Sequence, residues 1–313
     1  MRAAVRIFAL LARRAPVAVV FRRGPSRQVL VVRWDTSRDL FYPGQWFKGR
    51  IYERRADLSP SGERLAYFAA KHHGSPPTWT AISRPPFLTA LALWPKGDSW
   101  GGGALFKTEE TILLNHPPTE MALAPGFEPR RALKVLALGA HAGRGEDDPI
   151  GAMRRIRDGW KPVQEGVEKR GSRAQTRIEF DPPMIWSKAR VPSARPVDLL
   201  EIVDGLHERN GPWYITRHVV RDRRSGAELQ LGRTDWADWD RGDLLFAREG
   251  RIFRLGVGGT PDPSDWPPAQ ELIDLSACQF EARSAPAEAR TWQEPVPLQS
   301  LDHAPAKTRR DDV

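Results

Sequence analysis

The sequence predicts an all-β fold assembled from a repeated small sheet, and three observations carry that expectation. Short apolar runs bounded by turn residues recur along the chain. The 28 prolines and 26 glycines leave little room for long helices. A unit made of a short strand, a Pro/Gly turn and an apolar strand returns several times. The 313 residues are 40% hydrophobic and 28% charged, the balance of a folded chain rather than a disordered or collagen-like one. A single cysteine, Cys278, excludes an internal disulfide and a cysteine-based zinc cluster. No run approaches the roughly 18 apolar residues of a membrane span, because arginines interrupt every candidate.

The elements follow in chain order. Ala3–Ala12 has the look of a leader, but Arg6 splits it and Arg13-Arg14 stands where small cleavage-site residues belong, so a cytoplasmic chain is expected. Val17–Phe21 and Val29–Trp34 read as strands around the turn at 22–27, with a weaker one near Leu40–Trp46. Further strands are expected at Leu65–Ala69, Leu88–Trp94, Ala104–Phe106, Thr111–Leu114 and Leu133–Leu138. The second half adds Ile178–Phe180, Met184–Trp186, Trp213–Val220, Glu228–Leu231, Leu244–Phe246 and Ile252–Leu255. Short helices are expected at Ala152–Arg157 and Val197–Leu206, and an exposed loop at His141–Pro149. From Ala285 to Val313 the chain is polar and Pro-rich and reads as a partly disordered tail behind one domain spanning 1–284.

The repeat sharpens this into an architecture. Leu58, Leu93 and Phe180 are each followed two residues later by Pro60, Pro95 and Pro182; at Trp239 the turn passes to Asp240 and Gly242. With Leu136 and Phe280 added, six anchors recur at a mean spacing of about 44 residues, the length of a four-stranded propeller blade. A blade cannot bury both faces alone, so blades must close around an axis. The expectation is a β-propeller of six four-stranded blades, within a range of five to seven. The N-terminal strands lack an inner strand and Cys278–Ala282 lacks partners, so the two ends are expected to pair and close the ring.

Asp57-Leu-Ser-Pro-Ser-Gly-Glu-Arg-Leu-Ala-Tyr67 resembles the TolB-type β-propeller repeat, and Asp238–Phe246 with Gly250–Leu255 resembles it more loosely. Trp34-Asp35 and Trp239-Asp240 are a poorer match to WD repeats. The resemblance implies a propeller with a scaffold or binding role and names no activity.

Charge is concentrated at the start. Residues 1–55 hold thirteen Lys/Arg against Asp35, Asp39 and Glu53, so they carry more than the whole formal excess of +9. A second surplus spans 151–177 and includes Lys161, Lys169, Arg170, Arg173 and Arg177. Such segments attract anions. The candidate binding residues are Arg22, Arg23, Arg33, Trp34, Trp46, Lys48, Arg50, Arg54 and Arg55, with Arg154, Arg155, Arg157 and Trp160. Their bland alternative is a solvated, arginine-rich surface. Trp46, Trp94, Trp186, Trp236 and Trp239 fall at unit-like positions and are expected to pack blade against blade.

Local catalytic signatures are absent from the sequence. His72-His73 would point to opposite faces of a strand, Glu146-Asp-Asp148 reads as a solvated turn, and Gly101-Gly-Gly103 sits between strands rather than before a helix. No metal site and no cofactor are expected. Asp57, Asp235 and Asp238 lie near the starts of inner strands, where side chains approach a propeller channel; their bland role is turn hydrogen bonding. The leading expectation is a non-catalytic scaffold that binds a protein partner through a basic face from residues 1–55. The alternatives are a propeller hydrolase or lyase with a channel-mouth site, and nucleic-acid or other anion binding through the arginine-rich segments.

Overall fold

The computed structural model describes residues 5–24, 27–127, 133–169, 177–191, 196–208, 211–257, 262–292 and 298. Alternation of side chains between the two faces of a strand explains how these residues fold. In Val17–Arg23 and Gln28–Asp35 the residues Ala18, Val20, Leu30, Val32 and Trp34 face one way, and Val19, Phe21, Val29 and Val31 the other. Both sets are buried, which is why these strands read as unbroken apolar runs.

Five sheets follow one another along the chain. Sheet I holds β1 (Arg6–Leu11), β2 (Val17–Arg23), β3 (Gln28–Asp35) and β4 (Leu40–Lys48). Sheet II holds β5 (Arg50–Leu58), β6 (Leu65–Ala70), β7 (Thr78–Ser83) and β8 (Ala90–Lys96). Sheet III is smaller, with β9 (Ala104–Phe106), β10 (Thr111–Leu114) and β11 (Lys134–Ala137). The helix α1 (Ile150–Arg157) precedes sheet IV, which contains β12 (Trp160–Gln164), β13 (Ile178–Ala189), β14 (Val197–Leu206), β15 (Tyr214–Asp222) and β16 (Glu228–Arg233). Sheet V is β17 (Trp236–Asp240), β18 (Asp243–Arg248), β19 (Arg251–Leu255) and β20 (Gln270–Asp274). Strands pair with their chain neighbours throughout, antiparallel except for β10 with β11.

The hairpins of sheet V show the local logic. Arg241 and Gly242 have φ of 50° and 92°, Glu249 and Gly250 have 55° and 78°, and each pair is the two-residue loop between directly paired strand ends. Positive φ at both loop positions matches the right-handed twist of the flanking strands.

Apolar clusters join the sheets face to face. Sheet I meets sheet II through Val19, Phe21, Val31, Leu58, Leu65 and Tyr67. Sheet II meets sheet III through Ile82, Trp94, Phe106 and Ile112. Sheet IV meets sheet V through Trp186, Leu199, Val220, Trp239, Leu244 and Phe246. Sheet V returns to sheet I through Trp236, Leu245 and Ile252 against Ala18, Leu30 and Trp34. Helix α1 touches β5, β9 and β12, between sheets II, III and IV.

The described residues form five sheets, at the lower end of the expected range of five to seven. Several expectations are corrected. Sheet I needs no strand from the C-terminus, because β1 completes it; Cys278–Ala282 forms no strand and pairs with none. That segment still lies against sheet I, with Phe280 and Trp46 ring centroids 5.9 Å apart. Arg22 holds it, donating to the carbonyls of Leu275, Ser276 and Cys278 at 3.1, 3.1 and 2.9 Å. Leu136 is not on an inner strand: β11 is an edge strand and mostly exposed. Asp181-Pro182-Pro183 makes no hairpin, since β13 runs through it with a register shift between Glu179 and Met184. Val197–Leu206 is a strand rather than a helix, paired on both edges and covered on both faces. The expected helix at Ala152–Arg157 is present as the main part of α1.

Residues 285–292 pack rather than extend away: Ala285 and Ala289 are buried, and Trp292 lies against the cluster between sheets II and III. The rest of the expected tail lies outside the described residues, apart from Leu298, as do Arg170 and Arg173. Among the described residues no helix is long and apolar enough to cross a membrane.

Candidate functional site

The central feature is a cavity of about 520 Å³ bounded by the first strands of several sheets. Its wall includes Phe8–Leu11 of β1 with Ala12 and Arg13 beyond it, Trp236–Asp240 of β17 with Arg241 of the following turn, and Arg54 and Asp57 of β5. Helix α1 adds Arg154, Arg155 and Arg157, the loop after it adds Asp158 and Gly159, and β12 adds Trp160. Sheet IV supplies Lys188 and Glu201. β1 and β17 are each paired on one edge only, so their other edges stay open.

A smaller pocket of about 50 Å³ lies beside it and shares Phe8 and Arg54 with it. Arg6, Arg50 and Asp235, at the beginnings of β1, β5 and β17, line the small pocket. Leu11, Asp57 and Asp240, farther along the same strands, line the large one. The three strands therefore run in one direction past both spaces, and Phe8 with Arg54 forms the boundary.

Local structure explains why arginines converge. The ladder between β5 and β6 skips from Tyr52 to Asp57, a bulge that leaves intervening carbonyls without ladder partners. Arg154 takes them up, its Nη1 donating to Glu53 O and Arg54 O at 3.3 Å each and to Ala56 O. Arg154, Arg155 and Arg157 occupy the last turn of α1, the end at which the helix dipole favours cations.

The charged groups form three connected sets. Arg157 donates from Nη1 and Nη2 to Asp57 Oδ2 and Oδ1 at 2.6 and 2.8 Å, and from Nε to Asp158 at 2.8 Å. Arg54 and Arg155 both reach Glu201 Oε1, at 3.1 and 2.6 Å. Lys188 Nζ donates to Asp238 Oδ1 at 2.5 Å. Burial works against the Glu201 carboxylate, but Arg155 and Arg54 outweigh it and bring its pKa to about 2. Burial raises Asp238, with Lys188 opposing. Arg154 has no carboxylate partner, and burial pushes it down to about 10, still charged at neutral pH.

Seven lining cations, the five named above with Arg13 and Arg241, face five carboxylates, counting Asp240. The cavity is cationic, and the surplus sits where Arg54 and Arg155 share the single carboxylate Glu201 beside Arg154, which bonds backbone carbonyls. It is also aromatic: Trp160, Trp236 and Trp239 line it while otherwise buried in sheet packing.

Of the residues singled out in the sequence, Arg54, Asp57, Arg154, Arg155, Arg157, Trp160 and Asp238 come together here. The others do not. Arg22 is buried under the C-terminal segment. Arg23 pairs with Glu53 and Arg33 with Glu63. Trp34 is buried, stacked on Phe41 with its Nε1 donating to Asp39. Trp46 and Lys48 lie against Phe280. Arg50 lies over the Tyr52 ring at 4.3 Å. Arg55 points away from the cavity to Asp147 and the carbonyls of Ser99 and Gly101. Asp235 lines the small pocket, accepts Ile7 N–H at 3.2 Å, and is raised by burial to about 6.

Glu201 and Lys188 were not singled out. Glu201 sits inside the run read as a helix, and its partner Arg54 is 147 residues away. The described residues hold no group of three or more His, Cys, Asp or Glu suited to a metal ion. No family model, curated protein or solved structure matches the chain.

Proposed function

We propose that the chain is a five-bladed β-propeller that acts as a non-catalytic receptor for an anionic ligand, held in the cavity on its axis. The propeller reading is supported by the cyclic order of the sheet contacts. Sheet V packs on sheet I, and the first strands β1, β5 and β17 run side by side past one cavity. Closure then comes from apolar faces meeting rather than from a shared blade.

One observation carries the ligand reading: among the described residues lining the cavity, Arg54 and Arg155 share the one carboxylate Glu201, and Arg154 beside them bonds backbone carbonyls alone. A partly dry, concave site strengthens each charge interaction relative to water. The volume of about 520 Å³ lies within the roughly 300–1,000 Å³ of small-molecule pockets. The arginine-rich start of the chain supports this site better than an outer basic face, because Arg22, Arg54 and Arg55 are buried. A hydrolase or lyase would need a carboxyl group free to exchange a proton. In the large cavity Asp57 instead carries Arg157 on both oxygens, Glu201 holds two arginines and Asp238 holds Lys188, while Asp235, raised to about 6, lines only the small pocket of about 50 Å³.

The test is a thermal-shift panel of acetate, malonate, inorganic phosphate and phosphate monoesters at constant ionic strength. A ligand that binds only the native state raises Tm. At least one anion is expected to raise it in the wild type and to lose that effect in Arg155→Gln. A Tm unmoved by every anion, with neutral compounds no different, would overturn the reading.

A further inference from the structure

The anchoring arginines are themselves stacked. The Arg54 guanidinium lies 4.0 Å from the Tyr214 ring centroid and 5.8 Å from that of Phe8, and Arg154 lies 5.3 Å from Phe8. Tyr214, Arg54, Phe8 and Arg154 thus form an alternating ladder of ring and guanidinium that rises from the small pocket and ends at Arg154, which lines the cavity. Arg155 repeats the motif with its guanidinium 5.0 Å from the Trp186 ring. Each guanidinium has a planar π-face that favours an aromatic neighbour.

The rest of the lining has matching chemistry. Trp160, Trp236 and Trp239 line it, with Lys188 Nζ 5.9 Å from the Trp160 ring centroid. Arg154 directs all of its hydrogen bonds among the described residues from Nη1, so Nε and Nη2 remain available as donors. The space also far exceeds the need of a bare inorganic anion, given that one water requires only about 10–15 Å³ by the same kind of measure.

Resting on the anion-receptor reading, we infer that the ligand carries its charge on an aromatic ring: it is an aryl carboxylate or aryl phosphate. The ring packs among the lining aromatic and guanidinium faces, and its anion is held at the arginine cluster beside Glu201. The apolar remainder of the ring displaces water from the tryptophan wall.

The experiment is isothermal titration calorimetry of the full chain with benzoate, cyclohexanecarboxylate, acetate, phenyl phosphate and inorganic phosphate. The aryl member of each pair is expected to bind at least tenfold tighter than its non-aryl counterpart, and benzoate tighter than cyclohexanecarboxylate. The benzoate and phenyl phosphate arms decide which anion the site prefers. In Phe8→Leu the ratio of aryl to non-aryl affinity should fall severalfold, whatever the change in acetate or inorganic phosphate binding; Trp160→Leu tests the same ratio at a lining tryptophan. If acetate or inorganic phosphate binds as tightly as the aryl compounds, the aromatic inference falls and the receptor reading stands. If cyclohexanecarboxylate equals benzoate, the ladder is not what selects the ligand, and the inference falls as well. If nothing binds, the receptor reading falls first.

Discussion

Arg157 grips Asp57 with both terminal nitrogens, at 2.6 and 2.8 Å, across a separation of 100 residues. Asp57 is almost fully buried and also accepts Phe106 N–H at 2.8 Å, so one carboxylate ties α1 to sheet II and sheet III. Removing one partner strands the other charge, which costs roughly 3–5 kcal/mol for a buried pair. Asp57→Asn is expected to lose on the order of 3 kcal/mol in urea unfolding. Adding Arg157→Gln should cost much less than a second such loss, because the stranded guanidinium is then gone. Two fully additive losses would show that the pair does not act as a unit.

Arg22 replaces the strand pairing expected at the chain ends. Its buried guanidinium satisfies carbonyls at Leu275, Ser276 and Cys278 as well as Gly24. Arg22→Met leaves those acceptors without their donor, at about 1–3 kcal/mol for a buried polar group. Limited proteolysis is the direct check: cleavage between residues 275 and 285 should accelerate in the variant. Unchanged protection would mean that the Phe280–Trp46 contact alone seats the segment.

Gly103 has φ of 86°, and a Cβ there would sit 2.3 Å from Arg55 O. Gly103→Ala meets both an unfavourable backbone region and a fixed carbonyl. A destabilisation on the order of 3 kcal/mol is expected, by the strain such positions store plus the displacement of β5. Circular-dichroism melting would register it as a clear fall in Tm.

The pH dependence follows from buried neutral histidines. His116 Nδ1 must donate to the Glu120 carbonyl at 2.9 Å, so its Nε2 accepts from Thr80 Oγ1 at 2.8 Å. Burial lowers His116 and His218 to about 4. Between the unfolded value of 6.5 and about 4 the unfolded chain binds more protons, so these groups stabilise the fold above pH 6.5 and lose that contribution as pH falls. Asp235, raised by burial to about 6, acts in the opposite sense between 6 and its unfolded value of 3.8, gaining its proton first in the folded state. Asp238, also raised by burial, acts in the same sense as Asp235. Unfolding free energy should fall from pH 7 to pH 4.5 in Asp235→Asn, and more steeply there than in the wild type. Glu201 adds a later loss as pH drops from 4.5 towards 2. A flat profile between pH 7 and 4.5 in Asp235→Asn would contradict the neutral-histidine assignment.

Local rules made some elements legible and tertiary pairing decided the rest. The β17–β18 hairpin is written in Asp240-Arg-Gly-Asp243, where the turn needs positive φ at two positions. β14 is not, because Val197-Asp-Leu-Leu-Glu-Ile-Val203 lacks alternation and contains good helix formers. Its state is set by β13 and β15 on its edges. β1 resembles a leader until β2 pairs with it from Arg6 to Leu11. At the site, Asp57, Asp238 and the arginines stand out as residue types, while Glu201 and Lys188 acquire meaning only from partners 147 and 50 residues away. The total of basic groups near the start was plain from composition; that neighbouring Arg54 and Arg55 are both buried was not, since they flank a bulge in β5.

The most direct measurement is an anomalous difference map from a crystal soaked in bromide, a weakly selective anion that reports where positive potential is focused. The expected result is a bromide peak in the central cavity, within hydrogen-bonding reach of Arg54, Arg154 or Arg155. Bromide scattered over the outer surface, with none in that cavity, would contradict the account.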